Sequence, residues 1–431
     1  MNMNRLATLA LPTVLTTGLL FAAAGQNVLA QTGSETIACG EEREVDQGLL
    51  SESTYNRLNN ALESMGEEKY AEAVKELEDL QDARLSDFEE ATVHQYLGHL
   101  AAQREQYRDA IHHFSEAVRL NQMPNQTHFE MILQIAQLHN ALEQYDEALE
   151  QLDFWFCIST EEAKKVAEVW VLKASLHVQK EEFREGLAAI DQALEIAEEP
   201  REDWYRMKLG LLLELEDYRP AVDVAKILVE LDPDRKEYWS QLSGIYIELD
   251  EKEEAMGALH LAYRHGLLDR GSEYTQLAGL LQQLEAPRLA AEVMQEGLEE
   301  GFIDRTASNW EMAAGAWYQA RELDRALNAY EKAGELSDSG KIDFQRASIM
   351  TAEESWEGAL SAATRALEKG DLTQSQEGNA HLLVGMAHFN LNNLDRAEQA
   401  FNRAANYGTL RSAAREWLNH IEQTRQRLAS R

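Results

Sequence analysis

Residues 98–117 read GHLAAQREQYRDAIHHFSEA, and four of them set the frame: Gly98, Ala110, Phe114 and Ala117. Gly98 and Ala110 are small and twelve places apart. Phe114 lies one helical turn beyond Ala110, on the same face, and Ala117 restores a small residue three places later. Between the two small residues, Arg104-Glu105-Gln106-Tyr107 is polar enough to end one helix and begin another. Two antiparallel helices crossing at a pair of small side chains bring their backbones within packing distance, and bulk at either point would hold them apart.

The same frame recurs along the chain. The place of Ala110, here called the pivot, is taken by Ala73, Ala110, Ala148, Gly186, Ala221, Ala255, Ala290, Ala326, Ala359 and Ala397, at spacings of 33 to 38 residues. Twelve residues before each pivot stands Ala61, Gly98, Ala136, Ala174, Ser243, Ala278, Ala314, Ala347 or Gly385, with Leu209 the one exception. Four places after most pivots comes a larger apolar side chain, among them Leu77, Phe114, Leu152, Met294, Tyr330 and Phe401, expected to fill the gap between neighbouring units. Ten helix-turn-helix units then span residues 52–408, each burying its apolar face on its neighbours. The stretch 409–431, with Trp417, Leu418 and Ile421 inward, reads as a closing helix, and the excess of Arg in it as a complement to the helix C-terminus.

Composition agrees with an all-α chain: among 431 residues there are only 6 Pro and 24 Gly, while Ala, Leu, Glu and Gln are abundant. With 76 acidic against 40 basic side chains the formal charge is -36, which repels phosphate backbones and argues against nucleic acid as a partner.

Residues 1–30 carry one charge, Arg5, then an apolar stretch from Leu6 to Ala24, then Asn27-Val28-Leu29-Ala30. This pattern predicts a signal peptide cleaved between Ala30 and Gln31, export to a periplasm, and a mature chain not inserted in the membrane. Residues 31–51 lack a periodic apolar face and predict an irregular arm. Cys39 and Cys157 are the only cysteines. In an oxidising compartment they either pair, tying the arm to the third unit, or remain two thiols.

A search for chemistry assigns no catalytic residue, no metal site and no cofactor. Gly334 to Lys341 superficially suggests a phosphate loop, but five residues separate Gly334 from Gly340 where four are needed, and Ile342 stands in place of the hydroxyl residue. His112 and His113 are adjacent and point about 100° apart on a helix. His139, His177 and His388 share one register and are expected in the core. Trp155, Trp317 and Trp356 fall in core register, whereas Trp170, Trp204, Trp239, Trp310 and Trp417 precede or flank helices.

The ten units together resemble tetratricopeptide repeats, which implies a right-handed α-α superhelix, a solenoid, with a C-terminal capping helix. The inner positions that carry paired Lys and Asn in a carboxylate-gripping subclass read Gln95, Leu133, Val171, Arg206, Ser240, Thr275 and Glu311 here. That reading is disfavoured.

Three blocks are similar to periplasmic repeat proteins that accompany TonB, ExbB and ExbD: Trp204-Tyr205, then KEYWSQLSGIY at 236–246, then LHLAYRHGLL at 259–268. Leu382 to Phe389 and Phe401 to Ala405, ending at Trp417-Leu418, resemble that family's last repeat and cap. The resemblance implies a non-enzymatic scaffold accessory to TonB-dependent outer-membrane uptake of iron or other nutrients. Its partners would be envelope proteins, either a TonB/ExbB/ExbD-type complex or an outer-membrane transporter. The competing reading is a scaffold in outer-membrane protein assembly or polysaccharide export.

Overall fold

The computed structural model describes Arg43, Val45, residues 48–81 and residues 83–429, and every regular element among them is helical. The signal peptide expected over 1–30, its cleavage point at Ala30 and Gln31, and Cys39 lie outside the described residues. The chain divides into two compact units, one ending at Glu181 and one beginning at Glu182.

In the first unit three hairpins follow one another: α1 (Glu52–Gly66) with α2 (Tyr70–Gln81), α3 (Asp87–Gln103) with α4 (Tyr107–Leu120), and α5 (Asn125–Ala141) with α6 (Tyr145–Ile158). A 3-10 turn at Ala163–Lys165 leads to α7 (Ala167–Gln179). The second unit opens with α8 (Phe183–Ile196). It continues with hairpins α9 (Glu202–Glu214) and α10 (Tyr218–Leu231), α11 (Lys236–Glu248) and α12 (Lys252–Arg264), and α13 (Gly271–Gln283) and α14 (Pro287–Glu300). Then come α15 (Ala307–Gln319) with α16 (Leu323–Leu336), α17 (Lys341–Ala352) with α18 (Trp356–Lys369), α19 (Gln374–Asn390) with α20 (Leu394–Ala404), and the closing α21 (Arg411–Ala429). Stacked helix hairpins with a last helix packed on them are the all-α fold that the pivot spacing predicted.

What closes each hairpin is a match of sizes. The pivots Ala110, Ala148, Ala326 and Ala397 are fully buried, as are Ala136, Ser243 and Ala347 twelve residues before their own pivots. The larger residue four places after the pivot packs toward the next hairpin, Leu77 with Val93, Leu97 and Leu100 and Phe114 with Met131 and Ile135, and it also closes its own. Phe114 lies inside its own hairpin, over Gly98, where an added Cβ would stand 2.6 Å from the ring. Phe401 covers Gly385 in the same way, at 2.5 Å. Where the small residue is Ala the partner place holds, among others, Leu77, Leu152, Met294 and Tyr330, all buried. Where it is the exception, Leu209, the partner place holds Ala225, and both are buried. Most pairs set a small residue against a larger one, as close packing favours, and the two members can trade places; Ala347 with Ala363 is the exception. Ser243 adds a tie, its hydroxyl donating to the carbonyl of the pivot Ala255 at 2.8 Å.

The turns repeat one device. Five residues before each of the ten pivots the backbone is left-handed: Glu68, Glu105, Glu143, Glu181, Glu216, Asp250, Glu285, Arg321, Glu354 and Asn392 have φ between 55° and 61°. The next amide donates back to a carbonyl near the end of the first helix, as Gln106 to Ala101 and Gln144 to His139, both at 2.9 Å. This is the helix-terminating loop usually built with glycine, and a side chain there costs about 1 kcal/mol.

A third register, sixteen before the pivot, holds Trp170, Tyr205, Trp239, Tyr274 and Trp310. Of the tryptophans expected to precede or flank helices, Trp170, Trp204, Trp239 and Trp310 are inside first turns and Trp417 is in the second turn of α21; Trp204, Trp239 and Trp310 are buried. Their indoles reach back to the connection: Trp170 Nε1 donates to the Lys164 carbonyl at 3.0 Å and Trp239 Nε1 to that of Pro233 at 2.8 Å. Trp155 and Trp317 are in the core as read, but Trp356, the first residue of α18, is half-buried.

In α21, Trp417 stacks on Phe401 at 5.4 Å between ring centroids, and Ile421 is buried. Arg425 does not serve its own helix terminus. It bridges to Glu398, at 2.7 Å, and to Asp395 on α20.

The size match predicts that Gly98→Ala destabilises the chain by about 1–3 kcal/mol through overpacking against Phe114. Combining it with Phe114→Leu should recover part of that loss, and denaturant melts of the two single variants and the pair measure the coupling.

Candidate interaction surface

The first helices of four successive hairpins in the second unit carry a glycine eleven residues before the pivot: Gly210, Gly244, Gly279 and Gly315. An added Cβ at any of the four would meet nothing within 4 Å. Glycine in a helix interior costs about 1 kcal/mol relative to alanine, so the run costs about 4 kcal/mol that no contact among the described residues requires. Three residues on along the same face, Ile247 and Tyr318 are 40% and 47% exposed, large for side chains of their type at that place. Exposed carboxylates line it too: Glu237 and Glu248 on α11, Glu214 on α9 and Glu311 on α15. The face thus offers bare backbone, isolated apolar anchors and negative charge. Sequence reading passed over this run, although each glycine stands one place after the position twelve before its pivot.

Elsewhere the residues singled out in the sequence take structural places. Gly334 lies in the last turn of α16 and Gly340 caps α17, so the loop-like stretch straddles two helices. Both glycines have steric reasons. A Cβ on Gly340 would collide with the Ala366 carbonyl at 2.1 Å, and one on Gly334 would stand 2.8 Å from Oδ1 of Asp343. Asp343 occupies the register held by Trp and Tyr in earlier hairpins, and it is fully buried. Arg365 Nε donates to its Oδ1 at 2.7 Å and Lys369 Nζ pairs with Oδ2 at 2.8 Å, both cations coming from α18. This ion cluster joins α17 to α18 and was not anticipated.

Seven of the 12 histidines fall in the first unit. His94 of α3 meets His113 of α4, with the two Nδ1 atoms 3.0 Å apart, one ring donating and the other accepting. Burial pushes both below the ordinary imidazole range, His113 down to about 4. His128 of α5 is fully buried, and burial, with Arg43 adding to it, lowers it to about 3. His139, His177 and His388 are half-buried rather than in the core, because they stand at the ends of first helices beside the turn. His139 Nδ1 there donates to Gln144 Oε1 at 3.0 Å. Among the described residues no group of three or more His, Cys, Asp or Glu is placed to hold a metal ion, and no helix is long and apolar enough to cross a membrane. Cys157 is half-buried on the last turn of α6 and is not a free thiol.

Models of the tetratricopeptide repeat match residues 352–414 and 167–200. Over those two stretches, α7 with α8 and α18 to the start of α21, the chain matches the tetratricopeptide repeat. No curated protein matches the chain. Among solved structures, a tetratricopeptide repeat protein from Parabacteroides merdae aligns at 12% identity over 64% of this chain and 100% of that one, with a TM-score of 0.37. The Naa15/Naa10 complex bound to HypK-THB aligns at 14% identity over 79% and 67%, with a TM-score of 0.41. The C-terminal part of a tetratricopeptide protein from Cytophaga hutchinsonii gives 13%, 57%, 97% and 0.34. These likenesses concern the fold of the repeats.

The histidines of the first unit give its stability a pH dependence. His128 titrates lower in the folded chain than when unfolded, so its stabilising effect is complete above pH 6.5 and is lost as pH falls toward 3. Denaturant melts at pH 7 and pH 5 should differ by about 2 kcal/mol from this residue, and His128→Leu should remove that part of the difference.

Proposed function

We propose that this chain is a protein-binding scaffold of the bacterial periplasm, accessory to TonB-dependent nutrient uptake, and that it engages its partner on the first-helix face carrying Gly210, Gly244, Gly279 and Gly315. The observation that carries the reading is the four-glycine run opening on free space. A fold gains nothing from bare helix backbone there, whereas a partner segment gains close approach. Ile247 and Tyr318 supply apolar anchors, and the carboxylates beside them favour a basic segment. The resemblance of residues 236–268 to repeat proteins that accompany TonB, ExbB and ExbD supplies the partner class. The acidic surface favours export alongside basic envelope segments over any nucleic-acid role.

The same reading includes a bridge between Cys157 and Cys39, the only other cysteine. Its support is positional. Arg43, four residues after Cys39, bonds to Asn125 at the start of α5, and the antiparallel α6 returns Cys157 to that end of the hairpin.

The glycine run makes an opposed pair of expectations for Gly244→Ala with Gly279→Ala. The double variant should be more stable by about 2 kcal/mol, since no internal contact needs the glycines. It should also recover less partner in crosslinking of intact envelopes followed by mass spectrometry. Unchanged recovery removes this face from the reading, and capture of polymer-export or outer-membrane assembly components without any energy-coupling protein overturns the proposed system.

A further inference from the structure

Two registers that later hairpins fill with apolar side chains hold imidazoles in the α3–α4 hairpin. Three places after the pivot stand Val224, Ala258, Val293, Ala329 and Ala362, all buried, but on α4 this place is His113. Sixteen before the pivot, where Trp170, Trp239 and Trp310 carry indoles, α3 has His94. Packing in the rest of the array needs neither imidazole, and polar rings in apolar places cost free energy.

The two rings face each other. His94 is 8% exposed, and its Nδ1 lies 3.0 Å from that of His113. Its Nε2 is 3.4 Å from Nε2 of Gln81, the last residue of α2. An amide nitrogen only donates, so His94 accepts there and its Nδ1–H is the donor to His113. His113 is half-buried and its neighbour His112 exposed, so the pair meets solvent along α4. Burial holds both rings below the ordinary imidazole range, which leaves them neutral at pH 7. Glu116 and Glu90 act on His94, and Asp109 and Glu116 on His113; Arg119, bonded to Glu116 at 2.8 Å, opposes them. Three carboxylates against one guanidinium favour a cation.

Nitrogens 3.0 Å apart match the bite of one metal ion: at metal–nitrogen distances of about 2.0–2.1 Å they subtend about 95°, a tetragonal rather than a tetrahedral angle. We propose that His94 and His113 form a bidentate site for a late first-row divalent ion, copper(II) above zinc(II), with water completing the shell. Coordination through the two Nδ1 atoms replaces the hydrogen bond between them. The His94 proton moves to its own Nε2, where the Gln81 amide turns its oxygen to accept, so no net proton leaves. Among the described residues no third ligand stands in place, so the ion is exchangeable rather than a structural centre. Tetragonal nitrogen and oxygen shells suit copper(II), which also heads the divalent series. The site lies on α3 and α4 of the first unit, and it holds or fails independently of the glycine face.

The test is calorimetric titration of the full chain at pH 7 with copper(II), zinc(II) and magnesium(II), with melts at each ion. Copper(II) should saturate, zinc(II) should bind more weakly and magnesium(II) not at all. Copper(II) should also raise the melting temperature, because the two ligands meet only in the folded chain. His94→Trp with His113→Ala installs residues that other hairpins use at these places, and should lose both effects. His113→Asn, which keeps a hydrogen-bonding group beside His94, should weaken copper(II) by about tenfold or more. His112→Ala should bind as the parent does. Adventitious uptake by surface histidines would show as equal affinity in the parent and in the His94 and His113 variants. That result overturns the proposal, as does failure of copper(II) to saturate the parent.

Discussion

The close crossing of two helices at a buried pair of matched sizes is the contact on which every other feature of this chain rests. It fixes the distance between the helices, and hence where the left-handed residue must fall and which face of each first helix is left to solvent. Because interiors pack at the density of crystals, the pair tolerates exchange but not accumulation of volume. Gly98 with Phe114 and Leu209 with Ala225 are opposite solutions of the same constraint. Where both members are small, at Ala347 and Ala363, Leu383 and Val384 from the following hairpin pack against the space.

Much of this was legible in the residues. The pivots, their partners twelve before, and the closing helix with Trp417 and Ile421 come from periodicity alone, because a helix face repeats on a scale that sequence displays directly. What stayed hidden depends on two or three distant residues at once. Asp343 looks like one more surface carboxylate until Gly334, Arg365 and Lys369 are seen around it. His94 reads as one histidine among 12 until His113 of the facing helix is seen against it. The glycine run is intermediate: its spacing was on view, but its meaning required knowing that nothing lies above it. Leu209 shows the reverse limit, since an apparent exception to the pattern obeys it once the other half of its pair is read.

Two kinds of joint hold the second unit together. From α9 to α17 one continuous apolar cluster runs through the hairpins. At Asp343 an ion cluster occupies the place of an aromatic ring, and separate, smaller clusters follow around Ala359 and Phe401. Charges enclosed in this way add little net stability against well-packed apolar groups, but they demand a particular geometry, and removing one leaves its partners stranded. The α17–α18 hairpin is thus specified by orientation as much as by burial.

The ten left-handed turn residues have a consequence for how this chain tolerates change in length. Inside a hairpin the count from small residue to turn to pivot holds in all ten copies, so an inserted residue would rotate everything after it by about 100° and carry the next pivot off its contact. The spacing from pivot to pivot nevertheless varies from 33 to 38, and that variation is absorbed between hairpins, as in the extra 3-10 turn at Ala163–Lys165. Insertions, tags and cleavable linkers therefore belong in those connections, where the array has already accepted different lengths without losing its register.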